Sequence, residues 1–200
     1  MSSDAIDIAI APQLDLENDI QISCERILLR NIALEDLETI VNLAGDYRIV
    51  EMMNGSIHYP YSVLEAKGWI MKHLFDNSKS RSISWAIISK KGENLLGSIQ
   101  LRLSDDRCIG MLSYWIGHPY WNQGYATEAG KGVLQFGFEN LQLKQIQAEH
   151  SQRNPASGSV LKKLGFRFAI TEVKDVNNQL ENFDKYVITV YEFIRNDRCL

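Results

Sequence analysis

The segment YWNQGYATEAGKGVLQFGF, residues 120–138, contains a loop that ends in a glycine and, directly after it, the start of a helix. Together the loop and the helix start could bind an anion. The predicted first turn, Tyr125–Glu128, carries almost nothing that could do covalent chemistry. A helix start exposes amide N–H groups without internal partners, and the helix dipole adds about half a positive charge there. Gly124 permits close backbone approach, and the Thr127 hydroxyl adds a donor. The segment predicts either a phosphate site or a glycine turn before a core helix.

Two familiar phosphate-binding motifs do not match this segment. A P-loop places four residues between its first glycine and a Gly-Lys pair, which Ser or Thr follows. Here five residues separate Gly124 from the pair Gly130-Lys131, and Gly132 follows. The sequence also lacks a G-x-G-x-x-G dinucleotide motif. The pattern therefore disfavours nucleoside-triphosphate and NAD chemistry.

The reactive side chains form no convincing nucleophilic or metal-binding set. The histidines, at positions 58, 73, 118 and 150, lack metal spacing such as H-E-x-x-H. The three cysteines are far apart and include no C-x-x-C pair, which predicts free thiols in a reducing cytoplasm. They are Cys24, Cys108 and Cys199. We expect neither a bound metal nor a covalent protein intermediate.

Length and composition indicate one ordinary globular domain. The 200 residues are 45% hydrophobic and 23% charged, as in chains that bury a real core. The net charge of −4 argues against nucleic-acid binding, which normally uses a basic face. No apolar run approaches the length of a membrane span, and the N-terminus lacks signal-peptide features. The expected location is the cytoplasm, with no nucleic-acid or membrane partner.

The elements before the helix start alternate from a strand to two helices and then to more strands. The second helix opens with Ser62 and Glu65, which form a capping-box pattern. Short turn-like segments separate the later strands and predict an antiparallel meander. The predicted elements are a strand at 25–31, helices at 34–44 (capped by Gly45) and 62–77, and strands at 82–89, 94–103 and 108–117.

The second half continues with a long helix, a strand, a short helix and two final strands, which predicts an α+β domain around a mostly antiparallel sheet. The connection from Trp115 through the long helix to Ile146 could join parallel strands by a right-handed crossover. Pro155 and Gly165 bracket the short helix as expected. The predicted elements span 124–141, 144–150, 154–165, 166–173 and 185–193.

Four motifs make the chain resemble the GNAT superfamily of acyl-CoA-dependent N-acetyltransferases, and within it the RimJ/RimL-like branch. They are ERILLRN (25–31), HYPYSVLEAKGWI (58–70), SYWIGHPYWNQGYATEA (113–129) and RNPASGSVLKKLGFR (153–167). The family loop pattern is Q/R-x-x-G-x-G/A, from which this chain departs at its first position, Trp121. The resemblance covers roughly Ser23 to Phe193. It implies one GNAT domain at 21–195, between a lead-in at 1–20 and a tail at 196–200, with about seven strands, about four helices and splayed central strands.

The resemblance also implies acetyl-CoA as cosubstrate, held between the strand 110–117 and the strand 144–150. Pantetheine would pair with the first of these as an added strand does. Main-chain contacts to it would come from Trp115, Ile116 and Gly117. The diphosphate would be held by Gln123, Gly124, Tyr125, Ala126 and Thr127. Asn154 would bind the pantetheine arm. The ribose phosphate would meet Arg153, Lys162 or Lys163, unless these are solvated helix charges.

Acyl transfer to an amine needs a neutral amine, a stabilised oxyanion and a departing thiolate that is either protonated or tolerated. Many GNAT relatives place a Tyr seven residues after the Asn, but Leu161 stands there. Ser157, three residues after Asn154, is the RimJ/RimL-like substitute and is assigned to the thiol or its proton relay. Glu149 and His150 end the splayed strand on opposite faces, and one of them is predicted to face the acceptor as a base.

Two segments are predicted to build the acceptor pocket. The first, residues 44–62, offers Tyr47, Glu51, His58 and Tyr59 as substrate contacts. The second, a predicted loop at 173–186 with the residue before it, carries four acids that would suit a cationic acceptor. These are Glu172, Asp175, Glu181 and Asp184.

Three functions agree with these features. The first is acetylation of a protein or peptide N-terminal α-amine, which the branch resemblance and the missing strong base favour. The second is acetylation of a small amine, such as a polyamine, an amino sugar or a drug. The third is a non-catalytic CoA-binding module. The oligomeric state, monomer or homodimer, stays open.

Overall fold

Eight strands form one mixed sheet in the order β1-β2-β3-β4-β5-β6-β8-β7. The computed structural model describes residues 20–197, except 54, 56 and 80. The predicted lead-in up to residue 19 and the end of the predicted tail, from residue 198, lie outside the described residues. The strands are β1 (Ile22–Ser23), β2 (Ile27–Asn31), β3 (Ser82–Ser89), β4 (Leu95–Leu103), β5 (Ile109–Ile116), β6 (Gln145–Ser151), β7 (Arg167–Val176) and β8 (Gln179–Thr189).

Six α-helices accompany this sheet within the described ranges, together with short 3-10 turns and a π-helical segment. The long predicted helix ends earlier than expected, and the π-helical segment Phe136–Asn140 continues it. The helices are α1 (Leu37–Ala44), α2 (Tyr47–Met52), α3 (Val63–Ser78), α4 (Tyr125–Gln135), α5 (Pro155–Lys163) and α6 (Val190–Asp197). The α+β class is confirmed, with one more strand and two more helices than predicted.

The predicted meander and the predicted parallel crossover are both present. Strands β3, β4 and β5 pair antiparallel in sequence order. Strand β5 then passes through α4 to β6, which lies parallel to it. The capping box that opens α3 also forms, since the Glu65 amide donates to Ser62 Oγ at 3.2 Å and the Ser62 amide to Glu65 Oε2 at 2.9 Å.

Two hydrophobic cores cover the two faces of the sheet. On one face, α4 and α5 pack against strand residues such as Leu112 and Ala148. On the other, α1, α2 and α3 pack against strand residues such as Ala86 and Trp115. Side chains alternate between faces along each strand, so position parity decides which set of helices a residue meets.

The central strands β5 and β6 separate part-way along their length. Their parallel pairing runs from Ile109–Gln145 to Leu112–Ala148 and then stops. Strand β5 continues to Ile116 bonded only to β4, and β6 continues to Ser151 bonded only to β8. The predicted splay is therefore a gap in the sheet, which we call the opening.

The C-terminal prediction was wrong in its last four residues, because the chain becomes helical after Thr189. Thr189 and Glu192 form a reciprocal cap, in which the Thr189 amide donates to Glu192 Oε2 at 2.8 Å and the Glu192 amide to Thr189 Oγ1 at 3.4 Å. The T-x-x-E spacing was available in the sequence. The apolar alternation of the preceding strand concealed it.

Both segments that are predicted to bind the acceptor contain regular secondary structure. The segment 173–186 is a β-hairpin whose turn consists of Asn177 and Asn178, with φ of 53° and 63°. Positive φ at both turn residues is the geometry of a two-residue hairpin, which asparagine tolerates. In the first segment, Asp46 accepts a hydrogen bond from the Arg48 amide at 2.9 Å and starts α2.

Candidate active site

The β4–β5 ladder decides which backbone groups face the opening. Gly117 donates its N–H to the carbonyl of Leu96, the residue opposite it, at 2.8 Å. In an antiparallel ladder, residues bonded to the partner alternate with residues whose N–H and C=O point away from it. Trp115 is therefore also committed to β4. Tyr114 and Ile116 direct their backbone groups towards the opening, where an extended ligand could pair with them.

The start of α4 presents unpaired amides, as the sequence predicts. Gly124 has φ of 83°, in the left-handed region, and Asn122 has φ of 60°. The first bond of the helix runs from the Glu128 amide to the Gly124 carbonyl at 3.0 Å. The amides of Tyr125, Ala126 and Thr127 therefore lie ahead of any acceptor within the helix. This arrangement can bind the oxygens of a phosphate group.

Arg26, just before β2, braces this loop and was missed in the sequence analysis. Its Nε donates to Glu128 Oε2 at 2.7 Å, and its amide to Glu128 Oε1 at 2.6 Å. Its Nη1 donates to the Gln123 carbonyl at 3.0 Å. The guanidinium also lies over the Tyr125 ring, 4.8 Å from the centroid. No short motif links residues so far apart in sequence, so only the fold reveals this cation.

Trp121, the residue that departs from the family pattern, bonds to the end of β5, the strand that borders the opening. Its indole N–H donates to the Ile116 carbonyl at 2.6 Å. One of the main-chain groups predicted to contact pantetheine is thus already engaged. Gln123 Nε2 donates to the Pro119 carbonyl at 3.0 Å, which shapes the loop from within.

A hydrogen bond crosses the opening from β5 to α5. The Tyr114 hydroxyl lies 2.9 Å from Ser157 Oγ and 3.2 Å from the Ser157 carbonyl oxygen. Burial raises the pKa of Tyr114 to about 12, so the phenol stays neutral at any physiological pH. Asn154 caps α5 by accepting from the Ser157 amide at 3.2 Å. Leu161, which stands where the resemblance would place a Tyr, lies buried in the core. That position is therefore apolar.

A family model described as "Acetyltransferase (GNAT) domain" matches residues 26–167. The chain belongs to the GNAT family of acetyltransferases. The match includes the splayed strands, the start of α4 and the capped start of α5, which together form the opening described above. Within the described residues, no cluster of His, Cys, Asp or Glu could hold a metal ion, and no helix is long and apolar enough to cross a membrane.

Known proteins of this family share the fold but differ in their acceptors. Uncharacterized N-acetyltransferase YnaD of Bacillus subtilis (strain 168) is 25% identical over 175 residues, or 86% of this chain and 96% of YnaD. Spermidine N-acetyltransferase from Vibrio cholerae, solved with CoA and spermine, has a TM-score of 0.72 at 20% identity, covering 84% of this chain and 98% of that one. RimL, a ribosomal L7/L12 α-N-protein acetyltransferase solved with CoA, has a TM-score of 0.73 at 12% identity, covering 85% and 98%. At such identities the likeness concerns the fold alone.

The two base candidates of this GNAT domain point to opposite faces of the sheet. Glu149 lies on the face of Trp115 and the first three helices, where the acceptor is predicted to bind, and it forms an ion pair with Lys174. His150 lies buried on the other face, where its Nε2 lacks a hydrogen-bond partner among the described atoms. A Cβ at Gly158 would approach that nitrogen to 2.5 Å. The geometry therefore places the two residues on opposite faces, with Glu149 on the face of the predicted acceptor segment 44–62.

Arg153 joins the two predicted acceptor segments instead of standing free for a ribose phosphate. Its Nη1 donates to Glu181 Oε1 at 2.7 Å, and its Nη2 to Glu51 Oε1 at 3.2 Å. The hairpin turn touches the first segment again, because a Cβ at Gly55 would lie 3.0 Å from the Asn177 side chain. We call these links between the two segments, the bridge through Arg153 and the approach of Asn177 to Gly55, the clasp. Lys162 and Lys163 are exposed on α5.

The other predicted acceptor contacts lie along the first segment. Tyr47 and Tyr59 are exposed and pack edge to face, with ring centroids 5.5 Å apart. Glu51 belongs to the clasp. His58 lies 3.7 Å from Glu65, at the start of α3. Tyr47 and Glu51 share α2, so the structure brings those two candidates onto one short helix beside the opening.

Proposed function

We propose that this GNAT chain transfers the acetyl group of acetyl-CoA directly to the α-amine at the N-terminus of a peptide or protein. Acetyl-CoA is the cosubstrate and supplies an activated thioester carbonyl when bound. The backbone of Gln123 to Thr127 would hold its diphosphate, with Arg26 bracing that loop. Pantetheine would lie in the opening, with the Asn154 cap at its edge.

The backbone of β5 supports direct transfer without a protein nucleophile. Tyr114 and Ile116 direct their amides into the opening, where a donor could stabilise the oxyanion that develops on the thioester carbonyl. Such a donor is fixed by the β4–β5 ladder before the reaction begins. One oxyanion donor typically contributes about 3 kcal/mol.

The ion pair between Glu149 and Lys174 is the observation that favours an α-amine as the acceptor. It occupies the one carboxylate of β6 on the acceptor side, so a strong base is not held ready there. An α-amine with a pKa near 8 is already about 10% neutral at pH 7, whereas a Lys-type amine is under about 0.1% neutral. Deprotonating the second would cost about 3 kcal/mol more. The geometry thus supports an α-amine.

A small polycationic amine is the second candidate, and the charges of the acceptor face favour it. Ion pairs on this face combine four carboxylates with three cations. The surplus of one carboxylate would attract a cationic acceptor. The carboxylates are Glu51, Glu149, Glu172 and Glu181, and the cations are Arg153, Lys174 and Lys185.

The acceptor proposals are separated by measuring thiol release from acetyl-CoA. One set of assays uses peptides that begin with Ala or Ser and contain an internal Lys. A second uses the same peptides blocked at the N-terminus, and a third uses spermidine. We expect turnover only with the free N-terminus. Faster turnover with spermidine would establish the small-amine function, and acetyl-CoA binding without any transfer would establish a non-catalytic module.

The described cysteines support a cytoplasmic location. Cys24 and Cys108 are both free thiols, as proteins of reducing compartments have. Fractionation of the native host, followed by detection of the chain, would test this location.

A further inference from the structure

We propose that Tyr114 is a positioning residue that turns the Ser157 hydroxyl towards the departing CoA thiolate. Together the two residues would donate a hydrogen bond to the sulfur, and neither hydroxyl would transfer its proton. The proposal rests on the acetyl transfer argued above, and it assigns Tyr114 the place of the family Tyr that Leu161 replaces.

The position of the pair supports this role. Tyr114 follows Leu112, the last β5 residue paired with β6, by two positions on the same face. Ser157 lies in the first turn of α5, which follows β6. The 2.9 Å contact between their hydroxyls therefore spans the opening at the point where the two strands part. Both residues are partly exposed, so a ligand can reach them.

The hydrogen-bond geometry gives the pair two arrangements. The Tyr114 hydrogen can point to the Ser157 carbonyl oxygen, at 3.2 Å, while Ser157 donates to the Tyr114 oxygen. Alternatively, Tyr114 donates to Ser157 Oγ, and the Ser157 hydrogen becomes free to point elsewhere. A thiolate in the opening would select the second arrangement, because the serine hydroxyl then donates to the negative sulfur.

The pKa values of the thiol and of Tyr114 decide whether the pair donates a hydrogen bond to the sulfur or transfers a proton to it. An ordinary thiol has a pKa near 8.5, so a thiolate is a much weaker base than a tyrosine phenolate. Burial disfavours the phenolate of Tyr114 further. Both hydroxyls consequently keep their hydrogens, and the released thiolate takes its proton from water. A neutral donor pair of this kind acts equally across the physiological pH range.

The test measures the thiol pKa of bound CoA by ultraviolet titration of the thiolate in wild type, Tyr114→Phe, Ser157→Ala and the double variant. The readout needs no acceptor, so failure of the proposed acceptor leaves it intact. We expect the wild type to show the lowest thiol pKa. Each single variant should raise it, and the double variant should match Ser157→Ala, because Tyr114 acts through Ser157. Tyr191→Phe, on the exposed face of α6, is the matched control and should leave it unchanged.

Steady-state kinetics with the fastest amine acceptor provide the second arm. Tyr114→Phe should lower kcat about tenfold with little change in the KM for acetyl-CoA, the size expected for one hydrogen bond. The shape of the pH profile of kcat should not change. Equal thiol pKa values in all variants, additive effects in the double variant, or an alkaline limb that Tyr114→Phe abolishes would each overturn the proposal.

Discussion

Arg26 and Glu128 hold each other across the loop at the start of α4. The Arg26 amide and Nε both donate to the Glu128 carboxylate, at 2.6 and 2.7 Å, although 102 residues separate them in sequence. The carboxylate is largely buried, with 14% of the side chain exposed. It lies in the first turn of the helix, where the proposed diphosphate would carry the same sign of charge. Arg26 therefore neutralises a repulsion and fixes the loop at once.

Removing the Arg26 charge should weaken acetyl-CoA binding. Arg26→Gln leaves Glu128 without its cation beside the diphosphate, and we expect the Kd to rise about tenfold, or ~1.4 kcal/mol. Isothermal titration calorimetry measures this change. Arg26→Gln combined with Glu128→Gln should recover part of the affinity. Arg195→Gln in α6 controls for the loss of a positive charge, and an equal effect there would refute the local role of Arg26.

The conformation of Gly124 leads to a prediction about stability and binding. With φ of 83°, Gly124→Ala should cost about 1–2 kcal/mol of unfolding free energy, because an L-residue is strained in the left-handed region. The new Cβ would meet only Arg26 Nη2, at an ordinary 3.4 Å. Urea unfolding with and without CoA measures both effects, and CoA should stabilise the variant less than the wild type.

Gly68 provides the matched control for that substitution. A Cβ there would meet no atom of the described residues within 4 Å, and the residue lies inside α3. Gly68→Ala should therefore stabilise the protein by about 0.5–1 kcal/mol. A loss of stability at Gly68 that equals the loss at Gly124 would contradict the explanation by backbone conformation.

The clasp leads to a prediction about which of the two substrates has a changed KM when Arg153 is replaced. Arg153→Gln breaks the links to Glu51 and Glu181 and frees α2 from the hairpin. We expect the KM for the amine acceptor to rise severalfold, with the KM for acetyl-CoA unchanged. Lys67→Gln, on the exposed side of α3, is the control for charge.

Acetyl-dephospho-CoA distinguishes the clasp from the ribose-phosphate role. If Arg153 binds that phosphate, the variant should lose affinity for acetyl-CoA but not for the dephospho form. If Arg153 acts only through the clasp, Arg153→Gln should leave the KM for acetyl-CoA and the KM for acetyl-dephospho-CoA both unchanged. Steady-state kinetics with each donor at saturating acceptor give the answer.

His73 makes the stability depend on pH. The ring packs against Trp69 at a tilt of 38°, and its Nδ1 lies 2.7 Å from the Trp69 carbonyl oxygen. Burial lowers the pKa of His73 below its usual 6.5. Lys72 acts in the same direction, while Asp76 and the Trp69 carbonyl oppose it. Because folding favours the neutral ring, its stabilising contribution is complete above about pH 6.5 and is lost as the pH falls through the folded pKa.

The measurement compares urea unfolding at pH 7.5 and 5.5. The wild type should lose more unfolding free energy on acidification than His73→Phe, which cannot titrate at this position. Parallel slopes for wild type and His73→Phe would show that His73 does not set this dependence.

Local chemistry in the sequence determined most of the fold and the loop at the start of α4. The Ser62–Glu65 capping box, the short turns of the meander and Gly124 before α4 act between near neighbours, so their spacing is sufficient. Two local signals were present but missed. The Thr189–Glu192 cap followed apolar alternation that suggested a continuing strand. The Asn177–Asn178 turn lay in a polar segment that suggested a loop.

Only the tertiary structure decided how distant groups meet. Strand parity shows that Glu149 and His150 face apart, but which of them faces the acceptor depends on the helices packed against each side of β6. The contacts Arg26–Glu128, Tyr114–Ser157 and Arg153–Glu51 each join separate elements. Such pairs depend on strand order and on the point where β5 and β6 part. Because these are properties of the assembled sheet, no pattern along the chain encodes them locally.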